Sequence, residues 1–332
     1  MTERNFSKLT KRFPWIEKVA KATDCYSKDE QYLVGVSGGL DSRILLQLLI
    51  LLDFRRCTVC HLDHGLRGIH SVADRLFVQR LARRLGLPFV FETLENLPRK
   101  MSVETASRSA RQEFFARIAN NLQIDRIFLG HHADDQVETF LFNLFRGVGC
   151  LENSAMRMES TITVMQTKIR FLRPLLQVWK TDLEDLARCW HIRFREDFTN
   201  SSNEMTRNRI RHELIPAIEK ALRRPVKRAL LRTFDIVSVE GDYIKQNIPV
   251  IGAEMSVTLV RNLPLAVQRR TIHSWLVQNG VHDVAFEDVE NVRLLLNDVR
   301  LAKVNLSEGV FCRRRSGILF LQFPELTLEY PC

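Results

Sequence analysis

Between residues 31 and 146 the chain alternates short apolar runs with longer amphipathic stretches, and this alternation limits the fold more than any other feature. Apolar runs fall at 31–36, 56–63, 89–94 and 126–130. A helical pattern follows each of them, at 42–53, 70–86, 103–122 and 134–146. The second carries Leu76, Leu81 and Leu85 on one side and stops at Gly86 and Pro88. Strand and helix alternating at this spacing predict an α/β fold, a parallel sheet covered on both faces. Right-handed crossovers then gather the loops after the strands along one edge, where open α/β sheets bind ligands. Residues 147–174 are less regular, and a further helix is predicted at 180–190. From about residue 207 helical stretches dominate, at 216–223, 227–246, 265–279 and 285–297. Short strands are predicted at 301–306 and 310–323, turning at Arg315-Ser316-Gly317. The organisation expected is a catalytic domain over 1–215 and a smaller, mainly helical domain over 216–332 with a short C-terminal β element.

Composition narrows the class. A length of 332 residues suits two domains, and 45% apolar with 27% charged residues excludes whole-chain disorder. The longest apolar run, 44–52, is too short to span a bilayer and contains Gln47. Residues 1–21 are polar and charged, unlike a secretory signal, so a cytoplasmic protein without membrane attachment is expected. The seven cysteines are irregularly spaced, which fits a reducing compartment. Cys57 and Cys60 form a C-x-x-C inside a predicted buried strand, where they point to opposite faces and read as core. The net charge of +10 points to a polyanion, nucleic acid first. Its distribution is uneven: residues 207–232 hold nine Lys and Arg against Glu213 and Glu219.

Five segments carry chemistry. Val36-Ser37-Gly38-Gly39-Leu40-Asp41-Ser42 follows the first strand and opens the first helix. Its glycines let a ligand approach the backbone, and the helix N-terminus favours an anion. Asp41 is out of place in an anion site unless a divalent cation bridges it to phosphate. His61, Asp63 and His64, with Arg67 beyond them, follow the second strand and read as metal or phosphate contacts, or as a satisfied strand end. Glu104, Arg108 and Arg111 share one helix face. His131-His132-Ala133-Asp134-Asp135-Gln136-Val137-Glu138 starts the helix after the fourth strand and puts Asp135 and Glu138 on one face, a pair suited to a cationic small substrate. The basic run from Arg207 to Arg232 directly follows this predicted site.

The first loop resembles the S-G-G-x-D-S pyrophosphate loop of the PP-loop ATP pyrophosphatases. That resemblance implies an adenine-nucleotide α-hydrolase-like fold and ATP as cosubstrate. Together the segments, with Arg146-Gly147-Val148-Gly149, Arg173-Pro174-Leu175-Leu176 and Asn203 through Pro216, resemble bacterial tRNA(Ile)-lysidine synthetases over about residues 31–216. The chain departs from that family at Gln112, where an aromatic residue is usual, and at Glu152-Asn153-Ser154-Ala155-Met156. The more C-terminal helices resemble the family's second domain loosely, and a short form is expected. The resemblance implies ATP held by Ser37, Gly38, Gly39, Leu40, Asp41, Ser42, His64 and Arg67, with Asp41 placing Mg²⁺. It implies Arg108 or Arg111 on the α-phosphate and a lysine seat at Asp135 and Glu138. The partners implied are L-lysine and an isoleucine tRNA with a CAU anticodon. Arg207, Asn208, Arg209, Arg211, Arg223 and Arg224 are the expected tRNA contacts. A homodimer is compatible with this reading. The competing readings are another PP-loop tRNA-modifying enzyme such as a thiolase, which needs sulfur-handling cysteines, and a non-catalytic tRNA-binding relative.

Overall fold

The computed structural model describes residues 3–63, 69–94, 103–145, 156–195, 206–282 and 284–324. Two helices, α1 (Glu3–Arg12) and α2 (Trp15–Thr23), precede the first strand, β1 (Tyr32–Gly35). The chain then runs α3 (Leu40–Leu51), β2 (Cys57–Asp63), α4 (Ile69–Leu85), β3 (Phe89–Thr93), α5 (Val103–Leu122), β4 (Arg126–Phe128) and α6 (Ala133–Phe145). The hairpin β5 (Glu159–Val164) and β6 (Thr167–Leu172) completes a six-stranded sheet of order β3-β2-β1-β4-β6-β5. All neighbours in it are parallel except β5 on β6. β1 is central and its onward connections diverge, β2 on one side and β4 on the other. The ends of β1 and β4 therefore form the crevice where such sheets take ligands.

Burial explains the strand pattern. β2 is buried at nearly every position, as a strand covered on both faces must be. Cys57 packs with Tyr32, Val34 and Leu45 on one face, while Cys60 packs with Leu33, Phe114 and Ile127 on the other. The edge strand β5 alternates exposed and half-buried residues. Its turn to β6 runs through Met165 at φ 49° and Gln166 at φ 62°, left-handed positions without glycine or asparagine.

After α7 (Lys180–Cys189) come α8 (Thr206–Arg209), a π-helical turn (Ile210–Leu214), α9 (Ile215–Leu222) and α10 (Lys227–Gln246). The first compact unit comprises Met1–Phe142 with Ala155–Leu231, and the second Asn143–Ser154 with Arg232–Cys332. Compact packing of the first unit thus continues past the boundary expected near residue 215, as far as Leu231. The physical reason is apolar: Ile210, Ile215 and Val226 share a cluster with Val137 and Leu141 of α6.

In the second unit, α11 (Val257–Arg261), α12 (Leu265–Gln278) and α13 (Phe286–Asn297) pack around Trp275, Ile272 and Val292. They share this core with an antiparallel sheet of β7 (Met255–Ser256), β8 (Lys303–Asn305), β9 (Phe311–Arg315) and β10 (Ile318–Gln322). The expected turn joins β9 to β10, with Ser316 and Gly317 at positive φ. Among the described residues no helix is long and apolar enough to cross a membrane.

Candidate active site

The loop after β1 is shaped by its own hydroxyls. Ser42 Oγ donates to the Gly39 carbonyl at 3.1 Å and accepts from the Ser37 N–H at 3.2 Å, while Ser37 Oγ accepts from the Gly39 N–H at 3.3 Å. Ser37 and Ser42, expected to face phosphate, use these hydroxyls within the loop. Gly38 sits at φ +97°, a conformation that strains any other residue. Its carbonyl accepts from the Arg195 N–H at 3.0 Å. Gly39 is the extended N-cap of α3, so the N–H groups of Leu40, Asp41 and Ser42 have no intrahelical acceptor. The end of β4 passes very close: a Cβ on Gly130 would lie 3.0 Å from Asp41 C and Ser42 N.

A cavity of about 1230 Å³ opens on this loop. Cys60, Leu62, Phe114, Phe115 and Leu129 supply apolar wall, while Asp41, Asp135, Arg111, Lys180 and Arg211 supply charge. Asp41 Oδ1 is buried without a hydrogen-bond partner among the described residues. Burial raises the Asp41 pKa, against the pull of His132 and Lys180. An orphaned carboxylate oxygen on a cavity wall is chemically suited to a hard divalent cation, which typically takes one or two protein carboxylates and completes its shell with phosphates. The residues present therefore fit Mg²⁺.

His132 is buried between carboxylates. Its Nε2 lies 3.7 Å from Asp41 Oδ2 and 3.6 Å from Asp135 Oδ2, and its Nδ1 lies 3.7 Å from Asp134 Oδ2. The His132 N–H donates to Asp135 Oδ2 at 3.0 Å. Burial disfavours the Asp135 charge, yet His132, His131, this backbone N–H and Arg211 together hold its pKa below the usual value. Asp134 serves the scaffold: it accepts from the Lys180 N–H at 2.9 Å and from Lys227 Nζ at 2.7 Å.

Asp135 and Glu138 share a helix face, as expected, but differ in their surroundings. Only Asp135 lines the cavity. Glu138 is 4% exposed and gripped by Arg211, Nε to Oε1 at 2.6 Å and Nη2 to Oε2 at 3.1 Å. Arg211 Nη2 also reaches Asp135 Oδ1 at 3.4 Å. Burial lifts the Glu138 pKa, while the bidentate contact keeps the guanidinium charged and the carboxylate as its partner. Arg211 stands in the π-helical turn, where the Ile215 N–H bonds back to Ile210 O, and such turns recur at functional sites.

The expected tRNA contacts divide by helical position. Arg211 is 21% exposed in the cavity wall, whereas Arg209 is 65% exposed beside Glu213. Asn208 is buried. Arg207 is half-buried, and its charge lowers the pKa of Arg111 and of His131. Arg223, left-handed at φ 51°, and Arg224 are exposed. Of these expected tRNA contacts, Asn208 is thus buried, Arg207 and Arg211 are half-buried, and Arg209, Arg223 and Arg224 are exposed. Arg111 lines the cavity, and desolvation, then Arg207 and Arg108, lower its pKa. Arg108 acts on this corner through its charge, also on Arg173, whose pKa falls to about 10, mainly through burial. Burial, with Arg173, Arg111 and Arg207, lowers the His131 pKa to about 3, so its ring is neutral at neutral pH.

His61 proves to be a satisfied strand end, its Nδ1 2.8 Å from the Val36 carbonyl. His64, Arg67, the side chain of Glu104, residues 146–155 and Asn203 lie outside the described residues. Sequence reading missed the polar stripe of α7. Lys180, Glu184 and Arg188 of α7, with His191 just beyond it, line the cavity, and the four-residue spacing along α7 was the available signal. Cys57 and Cys60 face opposite sides of the sheet, and burial raises both thiols to about 12, so neither is a poised sulfur nucleophile.

Fold and loop define an ATP-binding PP-loop protein, and residues 5–218 match the PP-loop domain family. A U34-tRNA thiolase, NcsA from Methanococcus maripaludis, shares the fold at TM-score 0.54 and 16% identity, over 67% of this chain and 77% of that one. Residues 255–320 match the TilS substrate binding domain. The chain belongs to the tRNA(Ile)-lysidine synthase family. It is 34% identical to the tRNA(Ile)-lysidine synthase of Solibacter usitatus over 80% of its length and 61% of the relative's. It is 31% identical to that of Geobacter sulfurreducens, over 91% of this chain and 69% of the relative. The chain thus spans between three-fifths and seven-tenths of the length of these two relatives.

Proposed function

We propose that this protein uses ATP to join L-lysine to the wobble cytidine of an isoleucine tRNA with a CAU anticodon, releasing AMP and pyrophosphate. The observation that carries the reading is one cavity bordered by the phosphate-type loop, by Asp41 with its Oδ1 unpartnered among the described residues, and by Asp135. In the first step the cytosine carbonyl oxygen attacks the α-phosphate of ATP and pyrophosphate leaves. The free N–H groups at the start of α3 hold phosphate oxygens, and Arg111, on the cavity wall, meets the α-phosphate. Asp41 would hold Mg²⁺, which when bound neutralises phosphate charge.

In the second step the lysine ε-amine displaces AMP. Free lysine has a pKa of about 10.4, so only about one amine in 2,500 is neutral at pH 7. Asp135, with its pKa held low, is a seat for the ammonium rather than a strong base. Leaving water for the cavity favours the neutral amine. Arg211 fixes Glu138 and braces Asp135, so Glu138 acts on the seat from behind. The outward Arg209, Arg223 and Arg224 meet tRNA phosphates.

Labelled lysine offered with an unmodified isoleucine tRNA transcript bearing CAU tests this directly. Incorporation that requires ATP is expected. None from folded protein removes the reading.

A further inference from the structure

We propose that Lys180 is a further catalytic residue, its ammonium contacting the nucleotide's phosphate chain in the cavity it shares with the loop at 37–42 and stabilising the leaving pyrophosphate. This rests on the reading that ATP is split between its α- and β-phosphates.

The cavity's cations differ in how far they are already engaged. Arg211 is held by Glu138 and Asp135. Arg195 is paired with Asp74, and Arg188 with Asp185. Arg111 belongs to the crowded corner with Arg108 and Arg207. The Lys180 ammonium makes no hydrogen bond or ion pair among the described residues, although Lys180 lines the same cavity as Ser37, Asp41 and Asp135.

Its backbone, by contrast, is fixed. The Lys180 N–H donates to Asp134 Oδ2 at 2.9 Å, and just before it in the chain the Val178 carbonyl accepts from the Ala133 N–H at 2.9 Å. Both contacts tie the start of α7 to the start of α6. Leu183 and Leu186 then bury the other face of α7 in the core that holds Leu45 and Leu48 of α3. A flexible, unpaired cation is thus mounted on a rigid base beside the loop.

Its position carries a cost. Lys180 is the first residue of a helix, where the macrodipole disfavours positive charge, and no local carboxylate among the described residues pairs with its ammonium. An anionic ligand removes that penalty. The charge of Lys180 is also felt at Asp41, whose pKa it draws down against burial. Ammonium and carboxylate line one cavity and can therefore serve the same phosphate chain, one directly and the other through a cation.

The chemistry balances without a proton from lysine. A bond forms between the cytosine oxygen and the α-phosphorus. The bond from that phosphorus to the α–β bridging oxygen breaks, and its electron pair leaves on pyrophosphate. Lys180 meets the charge that develops there.

The test uses the full chain without tRNA or lysine: calorimetric titration with inorganic pyrophosphate plus Mg²⁺, and separately with AMP. Lys180→Met is expected to weaken pyrophosphate roughly tenfold, about 1.4 kcal/mol, and AMP by less than about twofold. Lys180→Arg, which keeps the charge, is expected to bind pyrophosphate within about threefold of the parent. Melting curves confirm folding in both variants, since the Lys180 ammonium takes part in no ion pair that holds the described fold together. Unchanged pyrophosphate binding in Lys180→Met overturns the assignment, as does equal weakening of AMP. In the complete reaction Lys180→Met is expected to lower kcat and leave the KM for lysine unchanged. A raised lysine KM with normal pyrophosphate binding would assign Lys180 to the amino acid and overturn the proposal. Failure to make lysidine strikes the proposed function and leaves the pyrophosphate result to be read alone.

Discussion

Arg211 and Arg223 belong to one basic segment and look alike in sequence, but the fold puts them in opposite physical states. Arg211 is mostly buried and bound to two carboxylates, with its guanidinium in the cavity wall. Arg223 is exposed at the end of α9, with Arg224 beside it. Interior charges of this kind organise a site and are costly to disturb. Surface charges contribute through long-range attraction that salt screens. Charge density therefore located a basic segment, while burial decided what each arginine does.

The hardest test of the contrast is Arg211→Met. It leaves Glu138 buried without its partner, and breaking a buried pair in this way costs about 3–5 kcal/mol. Urea unfolding should show a loss of that size. Arg223→Gln should stay within about 0.5 kcal/mol of the parent. Equal losses in the two variants would erase the distinction.

Asp41→Asn should have the opposite profile from Arg211→Met. Burial disfavours the Asp41 charge, so removing it should not destabilise the fold. Pyrophosphate release should nevertheless fall by roughly 10²–10³, the scale for losing one preorganised electrostatic group. A matching loss of stability would mean that Asp41 is scaffold.

Asp135 and Glu138 make the same comparison within one helix turn. Asp135→Asn should raise the KM for lysine by roughly ten- to a hundredfold, the value of a charge-assisted hydrogen bond, with little change in the KM for ATP. Glu138→Gln should act mainly through stability, because its carboxylate holds Arg211. If Glu138→Gln raised the lysine KM while stability held, both carboxylates would belong to the seat.

This pair shows where sequence reading reached and where it stopped. The first four strands, their helices and the glycine-rich loop were legible because hydrophobic period and turn chemistry are local. The loop's place on the ligand-binding edge of the sheet followed from them, while the switch point at β1 came only with the strand order. The β5–β6 hairpin was not legible, since Met165-Gln166 adopts positive φ without the usual Asn-Gly signal. Glu138 was placed on the correct face, but its partner arrives from a distant π-turn that no local pattern announces. The inward turn of Arg207 and Arg211 and the outward turn of Arg209 follow a helical period that a count of charges ignores. Lys180 escaped notice because an isolated lysine on an amphipathic helix ordinarily faces water.

A smaller effect separates the interior by pH. His131 has its pKa lowered from 6.5 to about 3, chiefly by burial, so the folded state excludes a proton that the unfolded chain accepts. Stability from this source is full above about pH 6.5 and falls as pH drops toward 3. His131→Gln should flatten that part of the pH–stability curve. The change should be modest, because the residue is partly open to the cavity. Mutating exposed Arg223 should leave the curve unchanged.

The gentlest prediction concerns the surface side. Replacing Arg223 and Arg224 with Gln should weaken tRNA binding and reduce the slope of log K against log salt by roughly one for each phosphate no longer neutralised. The weakening should be similar for cognate and unrelated tRNAs, since phosphates carry no sequence information. ATP and lysine binding should be unchanged, because neither arginine lines the cavity. Filter binding across a salt series measures the slope. An unchanged slope would show that these exposed charges are solvated surface and would leave the inward-turned arginines as the segment's functional part.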